Sequence, residues 1–427
     1  MKFRVGFSGS QSVRSNVLMR KVLTCHNFYQ QTGGEDLSYR DEVELLRLRG
    51  HEVIEYTRHN NEVSRTTRSQ LVSALLWNRR TYVEIGQLIE QHRPDIIHCT
   101  NTLPLISPSV YDAAARYGIP VVQSLRNYRV FCAESMCMRR EAPCQNCLKA
   151  NFAWQAIWNR CYRNSIVASA AVALLQKRAK RAEFYRQKVH AYYTLSRFAK
   201  LKMVEHGMDA SHIHVKPNFS LQQAKMGKGD GGYFVFVGRL AEAKGIRILL
   251  QAWKKLSIRL KVIGDGPLAH LVGAAAIQNP AIEWTGESDL HAALDAIGRA
   301  RALIFPSIGL ETFGRTIMEA FSVGTPVIAA RGSTGDELIT DGVTGLLYDG
   351  IRPDQLANLL MSEQVDDRLR NMRTATLEDF RDKYSPERNY ELLMQIYEAA
   401  EARCGKHSST VSPPSTMFPQ AADVLPG

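Results

Sequence analysis

Short apolar runs that alternate with helical patterns constrain the fold of this chain most strongly. In the second half, Gly or Pro bounds five such runs: YFVFVG (233–238), RLKVIGDG (259–266), AIEWTG (281–286), ALIFPS (302–307) and PVIAA (326–330). Helical patterns such as GIRILLQAWKKL and LHAALDAIGRA lie between them. Strands separated by helices form parallel sheets that are covered on both faces. This half therefore predicts an α/β, doubly wound domain.

The first half repeats this rhythm. Its strand-like runs are RKVLTCH, HEVIEYT, DIIHCT, PVVQSLR and AYYTLS. A chain of 427 residues is also too long for one ordinary core. We expect an N-terminal Rossmann-like domain (19–221) with a Cys-bearing insertion (127–165), a polar linker (222–232) and a C-terminal Rossmann-like domain (233–384).

The two ends of the chain carry further expectations. The amphipathic segment 385–404 predicts a helix that packs back on the N-terminal domain, and the polar segment 405–427 predicts a disordered tail. Residues 1–18 are an extension of uncertain role, and either Met1 or Met19 starts the protein. Two doubly wound sheets in tandem face a cleft at the carboxyl ends of their strands, which predicts a phosphorylated ligand there.

Two carboxylates stand near one predicted helix start, in PSIGLETFGRTIMEAFSVGTPVIA. Glu311 precedes the helix and Glu319 lies in its second turn. The N–H groups of Phe313 and Gly314 are unpaired donors of the new helix and can hold a phosphate or a sugar oxygen. A carboxylate suits a vicinal diol. The alternative is an ordinary helix-start Glu and a solvated one.

Two cations follow another strand, in FVFVGRLAEAKGI. Gly238 ends the strand, and Arg239 and Lys244 lie in the loop and helix start after it. Fixed cations at the carboxyl end of a strand suit a diphosphate. The alternative is an exposed loop with ordinary surface charges.

These segments resemble glycosyltransferase family 4, whose retaining members have the GT-B architecture of two Rossmann-like domains facing a cleft. The resemblance rests on GRLAEAKGI, IGDGP and the segment from PSIGLETFG to GLLYD. In the N-terminal half it rests on TGGEDLSYRDEVELLRLRGHEV, PDIIHCTNTLPLISPSVYDAAARYGIPVVQSLRNYR and YYTLSRFAKLKMVEHGMDASHIHVKPNF. It extends from about residue 19 to about residue 402.

The resemblance implies roles for the residues of a donor site. Arg239 and Lys244 would hold the donor diphosphate, Glu319 the ribose, and Glu311 the transferred sugar. The backbone of Phe313 and Gly314 would face the sugar or phosphate. Gly33 and Gly34 would form an N-domain loop over the diphosphate.

The resemblance also implies the chemistry. The enzyme would be a hexosyl-type glycosyltransferase that uses a UDP- or GDP-linked sugar, retains the anomeric configuration by front-face attack, and requires no metal or other cofactor. The acceptor would be a glycan or a lipid-linked molecule of surface polysaccharide or glycolipid biosynthesis. The alternatives are a GT-B sugar-nucleotide epimerase and a catalytically weak binding or partner subunit.

Arg126 departs from the family pattern. Relatives commonly carry a His at this position, and another at the position of Thr100. A guanidinium is longer and permanently charged, so three interpretations stay open. Arg126 contacts an anionic group of the sugar or acceptor, or it points elsewhere and Asn127 makes the contact, or activity is reduced.

Eight cysteines occur without a recognisable secretory signal, which favours reduced thiols or metal ligands in a cytoplasmic protein. The CQNC motif has metal-ligand spacing. The sequence therefore suggests a structural zinc site at Cys132, Cys144, Cys147 and Cys161, away from the catalytic machinery. Buried free thiols are the alternative.

The chain is basic, with a formal charge of +12. The segment from Lys177 to Lys202 interleaves basic residues with Phe184, Tyr185 and Phe198. No nucleic-acid module is recognisable. This segment therefore predicts peripheral contact with an anionic membrane, at the inner face of the plasma membrane, with a solvated helix as the alternative.

Overall fold

A computed structural model describes residues 18–31, 33–140, 142–181, 187–222, 225–350 and 352–408 of the chain. Several predictions therefore concern residues outside these ranges. They are the extension up to residue 17, the aromatic residues Phe184 and Tyr185, and the tail beyond residue 408. Within the described ranges, no helix is long and apolar enough to cross a bilayer.

The N-terminal half forms a six-stranded parallel sheet in the order β2-β1-β3-β4-β7-β8. Its strands are β1 (Lys21–Phe28), β2 (Glu52–His59), β3 (Ile96–Asn101), β4 (Val121–Leu125), β7 (Ala191–Thr194) and β8 (Ile213–Val215). Its helices are α1 (Gly34–Leu48), α2 (Arg68–Leu76), α3 (Arg79–His92), α4 (Ser109–Arg116) and α7 (Arg197–Glu205). The sheet order reverses between β1 and β3, which opens a crevice at their carboxyl ends.

The segment between β4 and β7 is less regular. It contains a two-residue hairpin, β5 (Met138–Arg139) and β6 (Ala142–Pro143), then α5 (Trp154–Trp158) and α6 (Ile166–Arg181). Most of the non-glycine residues with positive φ occur here: Ser135, Cys137, Arg140, Arg160, Arg163 and Asn164. Main-chain hydrogen bonds, such as that from the Cys144 N–H to the Cys137 carbonyl at 2.7 Å, and a small apolar cluster hold this segment in place.

The C-terminal half forms a second six-stranded parallel sheet in the order β11-β10-β9-β12-β13-β14. Its strands are β9 (Phe234–Val237), β10 (Leu260–Ile263), β11 (Ile282–Trp284), β12 (Leu303–Phe305), β13 (Val327–Ala330) and β14 (Gly345–Tyr348). Its helices are α8 (Ile246–Trp253), α9 (Ala269–Gln278), α10 (Leu290–Arg299), α11 (Arg315–Ser322), α12 (Gly335–Leu338), α13 (Pro353–Leu360) and α14 (Val365–Tyr384).

Two Rossmann-like sheets confirm the predicted GT-B fold class. The C-terminal strand order is that of dinucleotide-binding domains, with the switch point between β9 and β12. The edge strands β8 and β14 escaped the sequence-based prediction, although β9 to β13 are equally short and were predicted.

The last helix, α15 (Pro386–Ser408), follows α14 and lies against β4 and β7 of the first sheet. Its Tyr397 hydroxyl is hydrogen-bonded to His98 at 2.9 Å, and Glu401 pairs with Arg20 at 2.6 Å. These contacts fasten the end of the chain to the N-terminal sheet.

Candidate active site

Lys244 and Glu311 lie on the two loops that flank the switch point of the C-terminal sheet. Lys244 follows β9, Glu311 follows β12, and these strands are neighbours in the sheet. The Lys244 ammonium group lies 2.9 Å from both carboxylate oxygens of Glu311. Ligands of doubly wound sheets bind at such a point, so this ion pair marks the candidate site.

Close backbone packing brings these two loops together. The Ser307 hydroxyl donates to the Ala243 carbonyl at 2.7 Å, and the Gly309 N–H donates to the same carbonyl at 3.0 Å. Gly245 has φ +73°, and a Cβ there would lie 1.9 Å from the Pro306 carbonyl oxygen. Only glycine permits this approach, which holds the Lys244 turn against the end of β12.

Several hydrogen bonds fix Glu311, whose side chain is only 6% exposed. The Ser307 hydroxyl also lies within hydrogen-bond distance of its carboxylate, so the single hydroxyl proton is shared between this carboxylate and the Ala243 carbonyl. Thr334 donates to its main-chain carbonyl at 2.7 Å, and the Tyr128 hydroxyl of the N-terminal domain does so at 3.4 Å. The carboxylate is therefore held in place before any ligand binds.

Helix α11 begins beside Glu311. The N–H groups of Phe313 and Gly314 have no hydrogen-bond partner within the described ranges. The Phe313 ring packs edge-on against Tyr384 at 5.8 Å. The helix start therefore presents donors that suit an anionic oxygen.

Arg315 connects the two domains, a role that the sequence did not reveal. Its guanidinium pairs with Glu319 at 2.9 Å, one turn along the helix. Across the cleft it pairs with Asp41 at 3.4 Å and donates to Ser38 at 3.0 Å. Burial raises the pKa of both Glu319 and Asp41, and the charge of Arg315 opposes this effect. One cation thus holds two largely buried carboxylates on facing helices.

The structure brings together part of the predicted donor site. A cavity of about 220 Å³ between the domains is bordered by Gly34, Arg126, Asn127, Lys244, Glu311, Phe313 and Arg315, among others. Gly33, Gly238, Arg239, Gly314 and Glu319 do not border it. The Arg239 side chain is exposed and has no polar partner within the described residues. A Cβ on Gly33 would meet nothing within 4 Å, so space there does not require glycine.

Arg126 is buried and has protein partners. Its guanidinium pairs with Glu42 at 3.0 Å and donates to Asn218 at 2.6 Å. Its main-chain carbonyl accepts a hydrogen bond from Thr312 at 2.7 Å. Asn127 borders the same cavity and lies 3.4 Å from Glu35. The guanidinium therefore borders the cleft, but its charge is met by a carboxylate of helix α1.

Glu42 is the centre of a buried charged cluster. It accepts a hydrogen bond from Lys216, and also one from the Tyr193 hydroxyl at 2.9 Å. The cations Lys216 and Arg126 lower the pKa of the Glu42 carboxyl, against the effect of burial. Burial lowers the pKa of neighbouring His98 to about 4, so this imidazole is neutral at pH 7. One carboxylate between two cations leaves a net positive charge in the core.

A second cavity, of about 80 Å³, lies on the N-terminal side of Arg126. Thr100, Asn127, Arg129 and Gln176 are among its lining residues. Among the described residues that line it, four buried polar atoms have no hydrogen-bond partner: Ser124 Oγ, Arg126 Nε, Arg129 Nε and Gln176 Oε1. Such atoms are costly unless a ligand or water pairs with them, so this cavity suits a polar group.

The cysteines of the insertion are all free thiols. Cys132, Cys144, Cys147 and Cys161 border one cavity of about 20 Å³. Hydrogen bonding from Cys137 lowers the pKa of the Cys132 thiol to about 7. In the part of the chain that the structure describes, no group of three or more His, Cys, Asp or Glu residues is placed to hold a metal ion. The predicted zinc site therefore gains no support from the structure.

Two family models match the sequence. Residues 33–218 match the "Glycosyl transferase 4-like domain", and residues 231–362 match "Glycosyl transferases group 1". Together the matches cover most of the region that contains the two sheets.

Curated relatives and solved structures agree with this assignment. The GDP-mannose-dependent alpha-mannosyltransferase of Corynebacterium glutamicum is 26% identical over 271 residues, which are 62% of this chain and 58% of that protein. The phosphatidyl-myo-inositol mannosyltransferase of Mycolicibacterium smegmatis is 27% identical over 175 residues, 40% and 45% of the two chains. The chain thus spans about half the length of the curated relatives it matches.

The fold also matches that of Anabaena HepE, whose crystal structure contains UDP. The TM-score is 0.61 at 15% identity, with 89% of this chain and 99% of HepE covered. At this identity the likeness concerns the fold alone. The two family matches and the two Rossmann-like sheets together show that the chain belongs to glycosyltransferase family 4.

Proposed function

We propose that the protein is a retaining, metal-independent glycosyltransferase. It moves a sugar from a UDP- or GDP-linked donor to a glycan or lipid-linked acceptor. The observation that carries this proposal is the Lys244–Glu311 pair at the switch point of the C-terminal sheet, beside the unpaired amides of α11.

The donor would lie along this edge of the sheet. Its diphosphate meets Lys244 and the N–H groups of Phe313 and Gly314, and Arg239 can swing in from solvent. Glu311 accepts hydrogen bonds from hydroxyls of the transferred sugar, and Glu319 from the ribose. Because Lys244 is paired with Glu311 in the free protein, the incoming phosphate must share this cation with the carboxylate.

These groups would also stabilise the leaving group. Negative charge develops on the diphosphate as the glycosidic bond breaks, and fixed cations and amides lower the energy of that charge. The acceptor attacks from the face that the diphosphate leaves. Its proton passes to a departing phosphate oxygen, so no side chain has to act as nucleophile.

The acceptor would enter from the N-terminal domain. The polar cavity lined by Arg126, Arg129 and Gln176 lies beside the donor cleft and shares Arg126 with it. Its unpaired donors and acceptor suit hydroxyl or phosphate groups. The similarity to a phosphatidyl-myo-inositol mannosyltransferase supports a lipid-linked acceptor as one of the two classes.

A donor screen tests the proposal. The full chain is incubated with UDP-, GDP- and ADP-linked sugars, and release of the nucleoside diphosphate is followed with and without lipid-linked or oligosaccharide acceptors. Slow release of the nucleoside diphosphate without acceptor and faster release with acceptor would support the proposal. So would a product with the same anomeric configuration as the donor. Conversion of the donor sugar without release indicates an epimerase. Binding without turnover indicates a partner subunit.

A further inference from the structure

We propose that the exposed face of helices α5 and α6 docks on an anionic phospholipid surface. This inference deepens the proposed function, because it supplies the place where a lipid-linked acceptor would be met. It differs from the sequence-based prediction in location. It rests mainly on α5 and the outer side of α6, which overlap the predicted segment from Lys177 to Lys202 only at the end of α6.

Large apolar side chains point into solvent on this face. Trp154 is 69% exposed and Trp158 is 89% exposed, and they lie one turn apart on α5. On α6, which packs against α5, Val167 is 66% exposed and Leu174 is 49% exposed. Isolated exposed apolar residues need no explanation, but two tryptophans beside an aliphatic stripe mark a binding surface.

The charge of this region selects the partner. Residues 142–181 contain seven Lys and Arg residues and no Asp or Glu. Arg160 follows Trp158 closely, Arg178 lies one turn beyond Leu174, and both are exposed. Tryptophan prefers the interface between lipid and water, and each basic residue near an anionic leaflet adds to the attraction. A segment with both features, and without Asp or Glu, complements an anionic bilayer.

The position of α6 connects this surface with the candidate acceptor cavity. Val172, Leu175 and Gln176 of α6 line the polar cavity beside Arg126. Val167, Leu174 and Arg178 lie on the outer side of the same helix. A lipid headgroup held at the outer surface would therefore be one helix diameter, roughly 10 Å, from the cavity.

Vesicle co-sedimentation of the full chain tests this proposal. Vesicles of phosphatidylcholine alone are compared with vesicles that also contain phosphatidylglycerol. Two double variants remove the proposed contacts: Trp154→Ser with Trp158→Ser, and Arg160→Glu with Arg178→Glu. Matched controls in the C-terminal domain are Ile277→Ser with Met361→Ser, and Lys254→Glu with Lys255→Glu, all at exposed positions. Circular dichroism establishes that each variant is folded.

The proposal expects the wild type to sediment with the anionic vesicles only, and less so at high salt. Each surface variant should bind at least about tenfold more weakly, whereas the controls should bind like the wild type. Equal binding by surface variants and wild type would overturn the proposal. Absence of vesicle binding by the wild type would also overturn it. This includes the outcome in which the wild type is a dimer and the tryptophan variant is a monomer.

Donor turnover without vesicles separates this inference from the proposed function. If turnover is absent while the vesicle results hold, the catalytic proposal fails and the docking surface stands. If turnover is present and vesicle binding is absent, the docking surface fails alone.

Discussion

The ammonium group of Lys244 and the carboxylate of Glu311, 67 residues apart in sequence, form a bidentate ion pair with both distances at 2.9 Å. Lys244 is 28% exposed and Glu311 is 6% exposed, so ligand can reach the cation from one side. In the free protein, the two side chains at the switch point are paired with each other. A donor diphosphate that binds there must exchange part of this contact for its own.

Lys244→Ala should weaken binding of the cognate nucleotide sugar at least about tenfold, since one charge-assisted hydrogen bond contributes roughly 1.5–3 kcal/mol. The fold should be retained, because the side chain is partly exposed. Isothermal titration of wild type and variant measures this. Lys254→Ala, an exposed lysine on the same domain, is the control and should bind like the wild type.

Arg315→Ala should loosen the contact between the domains. The change removes the partner of Glu319 and the links to Asp41 and Ser38, and it leaves two largely buried carboxylates unpaired. We expect a larger radius of gyration in X-ray scattering and weaker donor binding. Arg247→Ala breaks a pair with Glu242 inside one domain and should change neither quantity. A wild-type scattering profile for Arg315→Ala would refute the bridging role.

Glu42→Gln should destabilise the protein more than Arg126→Gln does. The first change leaves Lys216 and Arg126 together in the core without a counter-charge, whereas the second leaves a neutral Glu42–Lys216 pair. Removing one partner of a buried pair costs about 3–5 kcal/mol. Urea denaturation of both variants gives the two free energies of unfolding. The reverse order would show that the cluster is organised around Arg126 instead.

His98 should make stability depend on pH. Burial lowers its folded pKa from 6.5 to about 4, so between these values the unfolded chain takes up a proton that the folded protein refuses. This contribution to stability is complete above pH 6.5 and is lost as the pH falls toward 4. At pH 5 the loss in the free energy of unfolding is about 2 kcal/mol. His98→Gln should lose correspondingly less stability between pH 7 and pH 5. Parallel pH profiles of wild type and His98→Gln in urea denaturation would contradict this.

The sequence predicted those site residues that directly follow a strand. Glu311 follows an apolar run that is bounded by Pro306, and Lys244 follows another that ends in glycine, so the rule for parallel sheets placed both at one edge. The edge strands β8 and β14 were missed, although strands of the same length in the C-terminal sheet were predicted.

Pairings between distant segments could not be predicted. Lys216 is 174 residues from Glu42, and Arg315 is 274 residues from Asp41. In the sequence, Asp41 and Glu42 stand in the charged stretch YRDEVELL, which looks like a solvated helix face. Asp41 and Glu42 are buried only when the first sheet folds and the two domains come together. For the same reason the sequence did not predict that Glu42 is the partner of Arg126.

Chelators should not abolish transfer, because the proposal assigns the work of a divalent cation to Lys244, Arg239 and the amides of α11. Transfer is measured in enzyme dialysed against EDTA, before and after Mg²⁺ or Mn²⁺ is restored. A dead dialysed enzyme that only a divalent cation revives would refute metal independence. Zinc content of the same sample tests the cysteine cluster separately.

The proposed function requires that a nucleotide sugar binds at the switch point between β9 and β12. Its most direct test is saturation binding of UDP- and GDP-linked sugars to wild type, Lys244→Ala and Glu319→Ala, measured by titration calorimetry on folded protein. We expect saturable binding of at least one donor by the wild type and at least about tenfold weaker binding by both variants. Unchanged affinity in both variants, or a wild type that binds no nucleotide sugar, would contradict it.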